Sequence, residues 1–398
     1  MNTKLLTYLA AIVAVSTVTF SSCSKNTGGH EEETEKDTLE VSTAENIPFL
    51  IGTYTGGEGG SEGIYKGTVN TGSGELTLTG LATRTKNPSY LAVSKDRKFV
   101  YAANELPNTE GDNSGRISAY SLEATSGNLT LLNDIPSNGG SPCYVSLDAS
   151  ELFILAANYG SGNISMVARN EQGGLQEELQ IIKHEGSSIT DRQKAPHAHF
   201  IKQNPYNGFV YSADLGTDKV MIYKIEEGKI IPNDPPSQTL APGAGPRHVD
   251  FHPNGKYVYV ISELNSTISV FEVSKDNGSL NPIQNISTLP EGYTEQSYCA
   301  DIHIHPNGKF LYGSNRGHDS IAIFTINEST GEISLRGFAD QDIDWPRNFA
   351  LTPKGDFLIA ANQKSNSIVS FKIDQTTGDL TPTGSKIAVG APVCIAFY

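Results

Sequence analysis

The sequence is short of the residues that long helices draw on, with 3 methionines and 1 tryptophan in 398 residues. Cysteine is scarce as well, at 4, which is too few for a disulfide-built scaffold. Positive charge is in deficit, since 29 Lys and Arg stand against 44 Asp and Glu for a net charge of −15. A chain this acidic has no general attraction for nucleic acid or anionic lipid, so neither is an expected partner and any anion site must be assembled locally. There is no Gly-rich phosphate loop opening a helix, no Cys-x-x-Cys pair and no Gly-x-Ser-x-Gly elbow between a strand and a helix. Nucleotide, zinc-ribbon and serine-hydrolase chemistry therefore lack support. What the chain has in quantity is 39 Gly, 20 Pro and 17 Tyr, a composition for many short strands joined by tight turns.

The one long apolar stretch, Leu5 to Phe20, follows Lys4, is too short for a comfortable membrane span and ends in Ser21-Ser22-Cys23. Residues 1–23 thus resemble a bacterial lipoprotein signal with Cys23 as the lipidation site, an ordinary cleaved signal peptide being the alternative. Residues 24–46 read as an acidic disordered tether containing Glu31, Glu32, Glu33, Glu35 and Asp37. Three lysines against seven carboxylates give residues 1–46 a net −4 and leave −11 for the rest. The expected location is the cell envelope, with the membrane touched only through the lipid on Cys23; a cytoplasmic protein without an anchor is the alternative.

From residue 47 to 398 one segment recurs. It reads Phe99 to Asn104, Phe153 to Asn158, Phe209 to Asp214, Tyr257 to Ser262, Phe310 to Asn315 and Phe357 to Asn362, with a degenerate copy from Phe49 to Tyr54. The spacings between final residues are 50, 54, 56, 48, 53 and 47, the size of a four-stranded propeller blade. Sixteen residues before four of those ends stands a proline opening a short strand: Pro88, Pro142, Pro246 and Pro346, with Ala198 and Cys299 in the remaining two copies. Hairpin sequences such as Pro253-Asn254-Gly255-Lys256 join the two strands, Asn-Gly accepting positive φ. At the chain ends, residues 392–397 make an opening strand without a partner, and Phe49 to Tyr54 make a second strand without an opener. The fold expected is all-β, a seven-bladed β-propeller closed by pairing the C-terminal strand with the N-terminal blade. Cys143, Cys299 and Cys394 then fall on opening strands of blades two, five and seven, which are not neighbours, and should be buried free thiols.

Antiparallel pairing brings the start of each opening strand beside the end of the next strand, at one mouth of the channel. Just after the proline register stand Ser89, Cys143, His199, Arg247, Ala300, Arg347 and Val393. Just after the final register stand Glu105, Tyr159, Leu215, Glu263, Arg316, Gln363 and, in the N-terminal copy, Thr55. Three arginines, a histidine and two carboxylates are gathered there from distant segments, a costly mixture to desolvate without a use.

Ile51-Gly52-Thr53-Tyr54-Thr55, Gly63-Ile64-Tyr65, Ala156-Ala157-Asn158-Tyr159, Pro196-His197-Ala198-His199, Asp214-Leu215-Gly216-Thr217-Asp218 and Gly245-Pro246-Arg247-His248 resemble the lactonase family of seven-bladed propellers. That family includes bacterial 6-phosphogluconolactonases and fungal carboxymuconate cyclases, and the likeness covers about residues 48 to 398. It implies a carboxylic-ester hydrolase acting on a sugar lactone in carbohydrate metabolism, converting 6-phospho-D-glucono-1,5-lactone to 6-phosphogluconate without metal or cofactor. The implied catalytic set is His199, Arg247, Glu263 and Arg316. His199 or Glu263 would deprotonate a water for attack on the lactone carbonyl, and Arg247 or Arg316 would stabilise the oxyanion or hold an anionic group. Replacing Arg247 is expected to cost activity with little loss of stability.

His197, Glu105 and Arg347 are expected to bind substrate around the entrance. Asp301, His303 and His305 alternate as metal ligands can, but His305 matches His252 at a hairpin turn, where a ring nitrogen caps backbone groups. Trp345 reads as loop packing ahead of sugar stacking, and Asp214 and Asp218 as turn and blade staples. An envelope location fits an unphosphorylated lactone better than a metabolic phosphate ester. An anchored, non-catalytic propeller binding a glycan or protein, and a lactone-forming cycloisomerase, are the rival functions.

Overall fold

A computed structural model describes residues 44–57, 59–107 and 115–398. Cys23 and the tether up to residue 43 lie outside the described residues. Seven four-stranded antiparallel sheets follow one another, and the inner strand of each packs against the neighbouring sheet. Among the described residues the only helical segment is a 3-10 turn, Asp191–Gln193, and no helix is long and apolar enough to cross a membrane. Blades are numbered here by their inner strands: Pro88–Val93, Pro142–Leu147, Lys202–Gln203, Pro246–Phe251, Tyr298–Ile304, Pro346–Leu351 and Pro392–Phe397.

Blade 7 closes the ring. Its order is Pro392–Phe397, Asn46–Thr53, Gly63–Asn70, Leu76–Arg84, with Phe397 opposite Phe49 and Ile395 opposite Ile51. The apolar core lies between neighbouring blades rather than in the channel. Phe49, Ile51 and Val69 of blade 7, for example, pack on Ile359, Ala361 and Ile368 of blade 6, each of the larger side chains contributing roughly 1.5–3 kcal/mol. The tyrosine of the recurring segment links blades through a polar contact. Tyr101, Tyr211, Tyr259 and Tyr312 each donate a hydrogen bond to a glycine carbonyl of the following blade, at 2.8–3.0 Å. His252 and His305 do likewise at the hairpins: Nδ1 accepts from the backbone N–H two residues on, and Nε2 meets Gly308 O and Gly355 O at 2.8 and 2.9 Å. Gly355 takes φ +76, and a Cβ there would stand 2.2 Å from the His305 ring. Cys143, Cys299 and Cys394 are free and buried.

The sixteen-residue spacing is the strand register itself. Pro88 pairs with Asn104, Pro142 with Asn158, Pro246 with Ser262, Cys299 with Asn315 and Pro346 with Asn362. In blade 7 the register is one residue earlier than the repeat suggests. Pro392 pairs with Thr53 across a bulge, and Tyr54 N–H bonds to Ala391 O, so Tyr54 and not Thr55 holds the mouth position. Immediately after the opening residue the pairing shifts in blades 1, 2, 4, 5 and 6. Such a bulge breaks the alternation that would turn the next side chain away. The residues at that next position touch one another around the ring. Tyr90 stacks on Tyr144 at 4.0 Å, Tyr144 meets Phe200, Phe200 meets His248, and His248 bonds to Asp301, which bonds to Asn348. This belt lies beneath the mouth positions. The residue before each opening proline takes positive φ: Asn87, Ser141, Gly245, Trp345 and Ala391.

Candidate active site

A cavity of about 400 Å³ opens at the mouth where the opening strands begin, lined by Tyr54, Glu105, Cys143, Tyr159, Arg192, His199, Glu263, Tyr298, Arg316, Trp345, Arg347 and Gln363. Five of the seven residues expected from the final register are among these: Glu105, Tyr159, Glu263, Arg316 and Gln363. His199, Arg347 and Cys143 come from the opening-strand set. Antiparallel pairing sends both sets to the same end, and hydrogen bonds fix the junctions, as in Glu263 N–H to Gly245 O at 2.7 Å and Glu105 N–H to Asn87 O at 2.9 Å.

Glu263 is the hub of one wall. Its Oε2 accepts from Arg247 Nε at 3.0 Å and meets Arg316 Nη2 at 2.9 Å, while Oε1 accepts from Arg192 Nη1 at 2.7 Å. Burial pushes its carboxyl up, but Arg316, Arg247 and Arg192 outweigh that and hold it at about 2. Arg247 is not a lining residue. It lies 2% exposed below the cavity floor, where Nη1 donates to Ala300 O and to His248 Nε2. Burial, then the neighbouring Arg316 and Arg347, lower it to about 10, so it stays charged at neutral pH. Against the expectation of little loss in stability, its removal leaves the buried Ala300 carbonyl without this donor, while Glu263 keeps Arg316 and Arg192.

Because an arginine only donates, His248 Nε2 is an acceptor and Nδ1 carries the hydrogen given to Asp301 Oδ1 at 2.7 Å. Asp301 Oδ2 also accepts from His303 Nε2 at 3.1 Å and from Asn348 Nδ2 at 2.5 Å, and Asn348 in turn receives Ile395 N–H. Asp301 thus ties blades 4 to 7 together, while His305 is occupied with its hairpin cap.

His199 stands between the mouth and the belt, edge-on to Tyr159 at 5.6 Å and to His248 at 5.3 Å. Burial, followed by the charge of Arg247, lowers its pKa well below the ordinary value, so the ring is neutral at pH 7. Its Nδ1 is buried and meets no hydrogen-bond partner among the described residues. Glu105 belongs to the opposite wall, accepting from Tyr54 OH at 2.7 Å with Arg347 Nη2 at 3.6 Å; the Arg347 guanidinium lies 5.2 Å from the Tyr54 ring centre. Trp345 lines the cavity too, its bulky side chain on a backbone at φ +53 that Asp319 holds by accepting its N–H. Lys364 Nζ sits 3.3 Å from the indole centre.

His197 does not line the cavity. It stacks on the outer face of Tyr159 at 4.5 Å and hydrogen-bonds Tyr159 O at 2.8 Å. Asp214 and Asp218 are staples as expected. Asp214 meets His184 at 2.6 Å and accepts the N–H groups of His197 and Thr217, and Asp218 accepts from Gln193, Gly243 and Gly245. Sequence reasoning missed Arg192. It sits on the crossover from blade 2 to blade 3, outside the repeat, and its one signal was that crossover's length. Also passed over was Gly59-Gly60-Ser61-Glu62-Gly63, which spells a nucleophile-elbow pattern but runs into the strand Gly63–Asn70 instead of a helix.

Three arginines against two glutamates line the cavity, and Arg247 adds a fourth guanidinium beneath its floor, so the site carries an excess of positive charge within an acidic protein. Both carboxylates are already engaged by guanidinium groups, a donor set for anions and not for a metal ion.

The model of the seven-bladed β-propeller lactonase family matches residues 48–397. The 6-phosphogluconolactonase of Bacillus subtilis (strain 168) is 38% identical over 347 residues, which are 87% of this chain and 97% of that protein. A crystal structure of a candidate 6-phosphogluconolactonase from Bacteroides fragilis superposes with a TM-score of 0.82 at 34% identity, covering 89% of this chain and 98% of the other. A periplasmic gluconolactonase of Pseudomonas aeruginosa does so with a TM-score of 0.84 at 28% identity, over 89% and 99%. With a match that takes in every blade, the chain belongs to the lactonase family of seven-bladed β-propellers.

Proposed function

We propose that the cavity hydrolyses 6-phospho-D-glucono-1,5-lactone to 6-phosphogluconate, a step of carbohydrate metabolism, with His199 as the general base. The observation that carries this reading is a neutral His199 lining a cavity in which both carboxylates are already taken up by guanidinium groups and the arginines are in excess. Water held by His199 gives it a proton as its oxygen bonds to the lactone carbonyl carbon. The carbonyl electrons move onto oxygen, where Arg316 stabilises the alkoxide, while Arg247 braces the wall from below. Collapse of the intermediate breaks the bond to the ring oxygen, which recovers the proton from His199. Glu263, saturated by three guanidinium groups and held at about 2, is a poor base and serves to hold the arginines. The surplus charge suits a phosphate on the far side of the sugar.

A plain gluconolactone is the second reading, favoured by the likeness to a periplasmic gluconolactonase. It agrees with lipid anchoring at Cys23 and an envelope location. The test is the rate of acid release above the buffer rate from phosphorylated and plain glucono-1,5-lactone. The phosphorylated substrate should be preferred, and His199→Gln should lower kcat about 10²- to 10⁴-fold, the range for losing a general base. An unchanged kcat in that variant would remove His199 from the mechanism.

A further inference from the structure

Three of the four guanidinium groups are built into the propeller and one is not. Arg247, Arg316 and Arg347 occupy strand register positions with side chains 2%, 6% and 17% exposed, whereas the side chain of Arg192 is 42% exposed. The backbone beneath Arg192 is pinned. Gln193 is wholly buried and donates to Leu215 O at 2.8 Å and to Asp218 at 2.7 Å. Gly216 lets Ala195 O approach so closely that a Cβ would lie 1.9 Å from it. The loop is therefore a fixed mount carrying a long, half-exposed side chain over the rim.

The contacts of that side chain are ones that can be exchanged. Nη1 meets Glu263 Oε1 at 2.7 Å and Nη2 donates to Tyr159 OH at 2.9 Å. Glu263 has more cationic partners than one negative charge requires, because Arg247 and Arg316 both share its Oε2. Losing Arg192 leaves the carboxylate paired by two guanidinium groups. A phosphate dianion entering the mouth offers Arg192 a stronger partner, with acceptor oxygens that match its planar fork.

Resting on the lactonase reading above, we propose that Arg192 determines specificity for phosphorylated lactones, leaving Glu263 Oε1 to grip the substrate phosphate at the rim. Tyr159, backed by the stacked ring of His197, steers the guanidinium between the two positions. Arg192 touches the remote phosphate and not the reacting carbonyl, so its contribution falls on binding. Glu263, relieved of one donor, then presents an open lone pair to the bound sugar.

The test compares the full-length protein with its Arg192→Ala and Arg192→Lys variants. Steady-state kinetics use 6-phosphoglucono-1,5-lactone and glucono-1,5-lactone, and calorimetry uses 6-phosphogluconate and gluconate. Arg192→Ala should lower kcat/KM on the phosphorylated lactone about 10- to 100-fold, the range for one charge-assisted hydrogen bond, through KM. The plain lactone should lose clearly less, so that the ratio of kcat/KM for the two substrates falls about 10-fold or more, and Arg192→Lys should recover part of the loss. Binding of 6-phosphogluconate should weaken in parallel, and that of gluconate should not. Equal losses on both lactones, or a loss confined to kcat, would overturn the inference. If the native protein hydrolyses lactones but binds 6-phosphogluconate no better than gluconate, the inference falls and the lactonase reading stands. If it hydrolyses and binds none of them, both fall.

Discussion

Replacing Glu263 with glutamine removes one negative charge and almost no volume, so its effect isolates electrostatics. The carboxyl is held at about 2 against an ordinary 4.5, and at 1.36 kcal/mol per pH unit the gap corresponds to about 3 kcal/mol. The side chain is 5% exposed, so solvent screens little of this. Breaking a buried ion pair from one side gives a similar size by another route, roughly 3–5 kcal/mol. An unfolding entropy of about 2.1 cal/mol/K per residue over roughly 350 residues is about 0.7 kcal/mol/K, so 3 kcal/mol lowers Tm by about 4 °C. The pH dependence follows from the direction of the shift. A depressed carboxyl stabilises the fold fully above the unfolded value of 4.5, and that stabilisation drains away as pH falls through about 2. Thermal melts followed by circular dichroism from pH 7 to pH 2.5 should therefore show a gap between native and Glu263→Gln proteins that is widest at neutral pH and narrows steadily below pH 4.5. A gap under about 1 °C at pH 7, or one as wide at pH 3 as at pH 7, would refute the account of Glu263 as the charge that holds the arginines.

Arg247→Ala should let Glu263 and Arg316 shift and so lower kcat/KM on the preferred lactone about 10²-fold, the scale of a misplacement of about 1 Å, and should cost about 1–3 kcal/mol of stability through the Ala300 carbonyl left without its donor, whereas Arg347→Ala, further from Glu263, should cost much less of both; comparable small losses would mean that the arginines only balance charge. Deleting residues 392–398 strips blade 7 of its inner strand and should broaden the melting transition or cause aggregation, and a truncated chain that melts as sharply as the intact one would show another route to closure. Cys23→Ala should move the protein from the membrane fraction to the soluble one with its melting curve unchanged; persistent membrane association, with no lipid mass on native Cys23, would count against the anchor.

The number of blades, the closing strand and most of the cavity lining could be read from the sequence because one physical fact governs them. A constant sixteen-residue offset between paired positions puts Glu105, Tyr159, Glu263, Arg316 and Gln363 at one end without any knowledge of distances. Where the offset changes, the reading fails by a predictable amount. The bulge in blade 7 moves the mouth position from Thr55 to Tyr54. The other bulges hide the belt, since a strict period of two places His248 and Asn348 on the wrong face and leaves Asp301 looking like one member of an alternating metal triad. Arg192 obeys no register, and its role depends on a loop mount made by Gln193, Asp218 and Gly216, whose partnership is visible only in three dimensions.

The closing pair also sets an order of events. Asn46–Thr53 is among the first parts of the propeller to be made and Pro392–Phe397 is the last, yet they must lie side by side before the ring exists. Throughout synthesis six blades can form by local hairpins while the seventh waits for its innermost strand. The mouth is assembled on the same schedule: Tyr54 and Glu105 emerge early, and Arg347 and Gln363 only near the end. No nascent fragment short of the final strand therefore holds the complete ring, and chains released early should be the ones that proteases and chaperones find.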